Sequence, residues 1–276
     1  MAPVAGKPPA CDRSPPCRVA FTLIELMVVV SVIVLLAAVL APALSRALEL
    51  VRIASCGENL RAQGISWSYY LSDNNQTFPL YYLNMHWCYG GKQPALCESP
   101  PKGYQSTPMN NFRPLNPYLQ LPLRNVNKAE YFHCPSDGGI QADDLRSSTY
   151  GHSCYDWFGN SYMLNYLIMV QIDNPVTYNA PMHKVLENGV WTWYYYPFQS
   201  TMATIPASQI IVSGDIQWAY ASENITACRA NFHDSTNRVN LLFMDGHVYF
   251  QQMTLGTPAT PEYSVQPFPV AVPPGP

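Results

Sequence analysis

Between Phe21 and Leu40 the chain reads FTLIELMVVVSVIVLLAAVL, twenty residues with a single charged side chain, Glu25. At a rise of about 1.5 Å per residue, a helix of that length reaches about 30 Å, the thickness of a bilayer's hydrocarbon core. The stretch predicts one membrane-crossing helix, and hydropathy alone would read it as a secretory signal or a simple anchor. Two details point elsewhere. An ionisable group in a membrane segment costs about 2.5–3.5 kcal/mol at the helix centre and less near an end, so Glu25 needs a reason to be there. A signal peptide is cut after its apolar stretch, whereas the only sharp junction here precedes it, where Arg18-Val19-Ala20 meets Phe21.

Ala20-Phe21-Thr22-Leu23-Ile24-Glu25, behind a basic leader and ahead of an unbroken apolar run, resembles the class III signal of type IV prepilins and type II secretion pseudopilins. The resemblance implies a leader peptide over residues 1–20, cut by prepilin peptidase between Ala20 and Phe21, with methylation of the new Phe21 amine. The family usually carries Gly before the cut, and this chain carries Ala20. It also implies an assembly role for Glu25. In a filament core its carboxylate would be neutralised by the Phe21 amine of a neighbouring subunit, because a buried charge is tolerated only when paired. Pro42 lies 21 residues after Phe21, where many pilins also have a proline. It removes one helical hydrogen bond and predicts a bend or a melted turn near Ala38–Pro42.

The 276 residues, 48% hydrophobic and 13% aromatic, suit one domain plus an anchor. Removing residues 1–20 turns the net charge from −3 to −5, which leaves no basic patch for nucleic acid. Cys11 and Cys17 in the leader are two ligands at an unspecific spacing and make no metal site. The basic leader belongs on the cytoplasmic side by the positive-inside rule. Residues 21–41 would then make a single pass through the inner membrane, in contact with its lipid, with the head in the periplasm or at the cell surface.

Beyond Pro42 a helical pattern resumes over residues 42–72. Cys56, Leu60, Gln63, Trp67 and Leu71 recur at steps of three and four and define one face, expected to pack on the head. Gly57 and Gly64 interrupt it at about 1 kcal/mol each relative to Ala, so tertiary packing must hold this half. Residues 73–129, rich in Tyr, Pro and Asn, predict a variable loop region. A β-rich head is expected over 130–255, with strands at Glu130–His133, Ser161–Tyr166, Gly189–Trp193, Gln209–Ser213, Val239–Met244 and His247–Gln251. Asp245-Gly246 between the last two predicts a two-residue type I′ hairpin turn. The fold class is therefore α+β, with a long N-terminal helix laid against an antiparallel sheet, a pilin-like layout.

A second resemblance rests on Cys56-Gly-Glu-Asn59-Leu60-Arg61, Phe132-His-Cys134-Pro-Ser136-Asp137 and His233 followed by Asp245-Gly246. This ordered series is similar to that of prepilin-like proteins with a terminal H-x9-DG motif. Here eleven residues, not nine, separate His233 from Asp245. Outside the leader six cysteines remain, an even number that argues for disulfides in an exported chain and allows 15 connectivities. The expected pairs are Cys56 with Cys134, stapling helix to head, Cys88 with Cys97, and Cys154 with Cys228. No C-x-x-C or H-x3–5-H spacing favours zinc.

His233, Asp234, Asp245 and His247 can be drawn as a metal or catalytic cluster, with Asp215 as a further acid. Turn chemistry explains Asp245, and His247 alternates onto a strand face. The resemblance leaves room for a bound calcium, since acidic loops stabilise the heads of some pseudopilins, although Asp234, Asn237 and Asp245 do not form a recognised calcium loop. No phosphate loop, nucleophile elbow or H-E-x-x-H occurs, so neither an enzyme nor a cofactor is expected. Residues 256–276 hold seven prolines and predict a disordered tail. The reading is a structural subunit whose partners are prepilin peptidase and other pilin or pseudopilin subunits. The alternative is a non-polymerising anchored protein that binds glycans or polymers through the aromatic loops around Tyr81–Tyr89 and Trp191–Phe198.

Overall fold

A run such as Val28-Val-Val-Ser-Val-Ile-Val34 is β-branched and a mediocre helix former in water, yet it lies within one uninterrupted helix, α1, Leu23–Asp73. In an apolar medium the backbone can satisfy its polar groups only internally, which selects the helix regardless of propensity. Even Ser31 follows that rule, donating its hydroxyl to Val28 O at 2.7 Å. The computed structural model describes residues 22–79, 87–93, 113–123, 126–139, 153–165, 168, 183–187, 190–194, 200, 203–222, 232–234 and 237–265. The chain divides into two compact units, residues 1–47 and 48–276.

In the first unit every described side chain is exposed, including Leu26, Val30, Ile33 and Leu36, and the helix is long and apolar enough to cross a membrane. The expected melted turn at Ala38–Pro42 is absent, for α1 runs through Pro42. A proline removes one donor, while the neighbouring turns keep their bonds.

In the second unit, Cys56, Leu60, Gln63, Trp67 and Leu71 are all buried, as their spacing predicts. They face a four-stranded antiparallel sheet of order β1-β4-β5-β6: β1 Tyr162–Leu164, β4 Ile211–Asp215, β5 Arg238–Phe243 and β6 Val248–Gln252. At Gly64 helix and sheet approach closely. A Cβ there would lie 2.7 Å from Leu242 Cδ1 and 3.5 Å from Gly246 O, so the glycine weakens the helix and permits the contact. On the other face of the sheet, α3 (Gln217–Ser222) brings Trp218 into the core, its Nε1 donating to Met163 O at 3.1 Å. A separate hairpin pairs β2 (His183–Glu187) with β3 (Val190–Tyr194). β2 is not among the strands expected from sequence.

Four expectations need correction. Glu130–Phe132 is a 3-10 turn, not a strand: Glu130 O accepts from His133 N at 3.0 Å and Phe132 O from Ser161 N at 2.8 Å, while α1 takes two further carbonyls, Gln63 Nε2 donating to Tyr131 O at 2.7 Å and Asn59 Nδ2 to His133 O at 2.9 Å. The β5–β6 turn has three residues, Met244-Asp245-Gly246, closed by Phe243 N donating to His247 O at 2.9 Å. Only Gly246 takes a left-handed φ, +89°, which is the bulged three-residue loop and not type I′. Within 73–129, Cys88, Tyr89, Leu115 and Val126 belong to the core. Residues 256–265 are not a free tail: Tyr263 and Val265 are buried, and Ile211 N donates to Ser264 O at 2.9 Å. Two apolar anchors outweigh what proline content alone suggests. Residues 266–276 lie outside the described residues.

Candidate functional site

Two places hold the residues singled out by sequence. The first is the start of α1. Ala20 and Phe21 lie outside the described residues, whereas Thr22 and Glu25 form a reciprocal capping box. Glu25 Oε2 accepts from Thr22 N at 2.9 Å and from Thr22 Oγ1 at 2.8 Å, and Glu25 N donates to Thr22 Oγ1 at 3.3 Å. A helix start leaves orphan N–H groups, and Thr-x-x-Glu before an apolar run satisfies them. Sequence reasoning missed this signal, which gives Glu25 a use in a lone helix with no partner subunit.

The second place is a buried polar layer between α1 and the sheet. Cys56 and Cys134 form the expected disulfide, with Cα atoms 5.3 Å apart and 78 residues apart in sequence. Beside it His233 is sealed from solvent, its backbone held at φ +61°, a left-handed conformation that non-glycine residues adopt at a cost. Its Nδ1 lies 2.9 Å from Glu49 Oε1 and its Nε2 lies 3.5 Å from both Asp215 Oδ2 and Cys134 Sγ. Burial pulls the imidazole pKa down, but hydrogen bonds and charge from Asp215, then Glu49, outweigh it and leave it above the usual histidine value. The ring thus lies between two carboxylates, with Asn240 Nδ2 also 3.3 Å from its Nε2.

Each carboxylate is held in turn. Glu49 Oε1 also accepts from Ser136 Oγ at 3.1 Å, and Asp215 Oδ2 accepts from Asn240 N at 2.7 Å. Asp137, next to Ser136, organises the adjoining loops. Its two oxygens accept from Gly139 N, Cys154 N, Tyr155 N and Ser161 Oγ at 2.6–3.0 Å, which satisfies the start of α2, Cys154–Phe158. Tyr89 Oη donates to Gln63 Oε1 at 2.9 Å, and Asn59 Nδ2 donates to Tyr162 Oη at 3.2 Å. Burial is the main cause pushing both phenols above their ordinary pKa.

The motif series noted in sequence therefore converges, though not as a His/Asp quartet. His233 meets Asp215, the further acid, and Glu49, which sequence reasoning did not single out. Glu49 lies seven residues before Cys56, two turns along the same helical face, and that spacing was the available signal. Asp245 and His247 pair with each other at the hairpin, Nδ1 to Oδ1 at 2.6 Å, both partly exposed, and the His247 ring stacks on Phe243 at 4.2 Å. The Asp234 side chain lies outside the described residues, as do Cys97 and Cys228, and with them the pairings of Cys88 and Cys154. Among the loop aromatics, Tyr89 is fully buried and Trp87 stacks on Phe158 at 4.0 Å.

The layer ties α1 to the sheet through the Cys56–Cys134 disulfide and the buried contacts of His233 with Glu49 and Asp215. No protein-family model, curated protein or solved structure matches the chain.

Proposed function

We propose that this chain is a prepilin-like or pseudopilin structural subunit. Prepilin peptidase cuts it between Ala20 and Phe21 and methylates Phe21. Residues 21–41 anchor it in the inner membrane, and it assembles with other pilin or pseudopilin subunits in a type IV pilus or a type II secretion pseudopilus. The observation that carries the reading is a single helix with two characters. Between Glu25 and Leu44 its first half exposes apolar side chains with Ser31 as the one polar exception, and its second half buries Cys56, Leu60, Gln63, Trp67 and Leu71 against an antiparallel sheet. Of the aromatics on which the alternative binding reading rests, Trp87 and Tyr89 pack inward, while Tyr81, Tyr82 and the side chains of 191–198 lie outside the described residues.

The test is the mass of the N-terminal peptide of the protein taken from its native membrane. A start at N-methylated Phe21 is expected. A start at Met1, or a cut beyond Leu40, refutes the reading.

A further inference from the structure

Cys56, Cys134, Asp215 and His233 present one sulfur, nitrogen or oxygen atom each within 4.8 Å of one another, all four residues being buried. A tetrahedral zinc ion with Zn–S of about 2.3 Å and Zn–N or Zn–O of about 2.0–2.1 Å has ligand-to-ligand edges of roughly 3.3–3.8 Å. Cys134 Sγ to His233 Nε2 is 3.5 Å, and His233 Nε2 to Asp215 Oδ2 is 3.5 Å. The supports of such a site are also in place. His233 turns Nδ1 to the Glu49 carboxylate at 2.9 Å, the carboxylate–histidine–metal arrangement that fixes a ligand's tautomer and raises its basicity. Asn240 N holds Asp215 Oδ2 at 2.7 Å. A further observation concerns the same carboxylate: Asp215 is fully buried, and while its Oδ2 is the oxygen 3.5 Å from His233 Nε2, its Oδ1 has no hydrogen-bond partner. A buried carboxylate oxygen without a donor is costly and calls for an occupant.

We propose that, in the reduced chain, Cys56, Cys134, Asp215 and His233 bind zinc, with Glu49 and Asn240 as outer supports. The ion and the Cys56–Cys134 disulfide are alternative closures of the same joint between α1 and the sheet. A dithiol reductant delivers two electrons and two protons to the S–S bond, which breaks to two thiols, and the reductant leaves as its own disulfide. Zn²⁺ then takes both sulfurs as thiolates and releases their protons together with any on the imidazole. In the reverse direction an oxidant of the disulfide class withdraws two electrons, the S–S bond forms and the ion is expelled. Borderline-soft S2NO ligation suits zinc, and cobalt(II) serves as its spectroscopic stand-in.

The full chain in detergent is compared in its oxidised and reduced states under anaerobic conditions, with metal content, cobalt spectrum and thermal midpoint as readouts. The expected result is a single metal ion per reduced chain and tetrahedral cobalt bands with thiolate charge transfer. Zinc should raise the midpoint of the reduced chain and leave that of the oxidised chain unchanged. Glu49→Gln should weaken zinc affinity about 10–100-fold, a readout that a merely structural carboxylate would not move. The proposal is overturned by a reduced, folded chain that takes up no zinc, by equal uptake in the oxidised chain, or by a reduced chain that unfolds and is not restored by zinc.

Discussion

Gly57 and Gly64 occupy the same helix face, one helical stretch apart, and alanine at the two positions should act in opposite directions. In a helix interior Gly→Ala is worth about 1 kcal/mol in favour of alanine. At Gly57 the new Cβ would sit 3.6 Å from Asn240 Oδ1 and 3.9 Å from Val248 Cγ1, ordinary contacts that leave the gain intact. Gly57→Ala should therefore stabilise by about 1 kcal/mol, a rise of roughly 2–4 °C for a unit of this size. At Gly64 the Cβ would meet Leu242 Cδ1 at 2.7 Å, so this side chain, 1% exposed, must shift within the core. Overpacking of that kind costs about 1–3 kcal/mol, so Gly64→Ala should range from neutral to about 2 kcal/mol destabilising. Thermal midpoints followed by circular dichroism in one detergent measure both. A Gly64→Ala midpoint raised as far as that of Gly57→Ala would refute the argument that close approach of helix and sheet, not chance, keeps glycine at 64.

Removing the disulfide by Cys56→Ser with Cys134→Ser releases a loop closed across 78 residues, and chain entropy predicts a loss of about 4–5 kcal/mol, read as a lower urea midpoint without added metal. Glu25→Gln keeps an N3 acceptor for the cap but removes the charge, so helix content should hold while filament assembly, scored by electron microscopy, is lost; unimpaired assembly would exclude pairing of Glu25 with the Phe21 amine. Tyr89 and Tyr162 are held protonated by burial, whereas unfolded tyrosine ionises near pH 10. Their contribution is complete below pH 10 and falls as pH rises above it, each by at most about 1.4 kcal/mol per pH unit, because only the unfolded chain gives up its protons. Denaturant titrations from pH 8 to 11.5 should show stability flat at first and then falling, and a flat profile to the end would count against sealed phenols. Tyr70, with its pKa pushed up to about 12 by burial and by Tyr118, should ionise later than exposed tyrosines in a 295 nm titration.

The features legible in the sequence are local and periodic. A run of apolar residues with one charge defines the first half of α1, and steps of three and four pick out its buried face because helical geometry repeats every 3.6 residues. Asp245-Gly246 marks the last hairpin, although the length of the turn was decided by pairing across β5 and β6. The thiol pair Cys56 and Cys134 was legible because each sits beside a recognisable local pattern.

Tertiary structure alone decided the rest. Glu49 and His233 are separated by 184 residues, and nothing local in either segment specifies the other; they meet because α1 packs on a sheet in which β5, paired with β4, contacts the His233 turn. The carbonyls of Tyr131 and His133 were claimed by Gln63 and Asn59, which turned a strand pattern into a 3-10 turn. Tyr263 and Val265 drew a proline-rich segment onto β4. In each case a long-range contact outweighed a local preference worth less than the burial or hydrogen bond that replaced it, and such contacts leave no periodic trace in the chain.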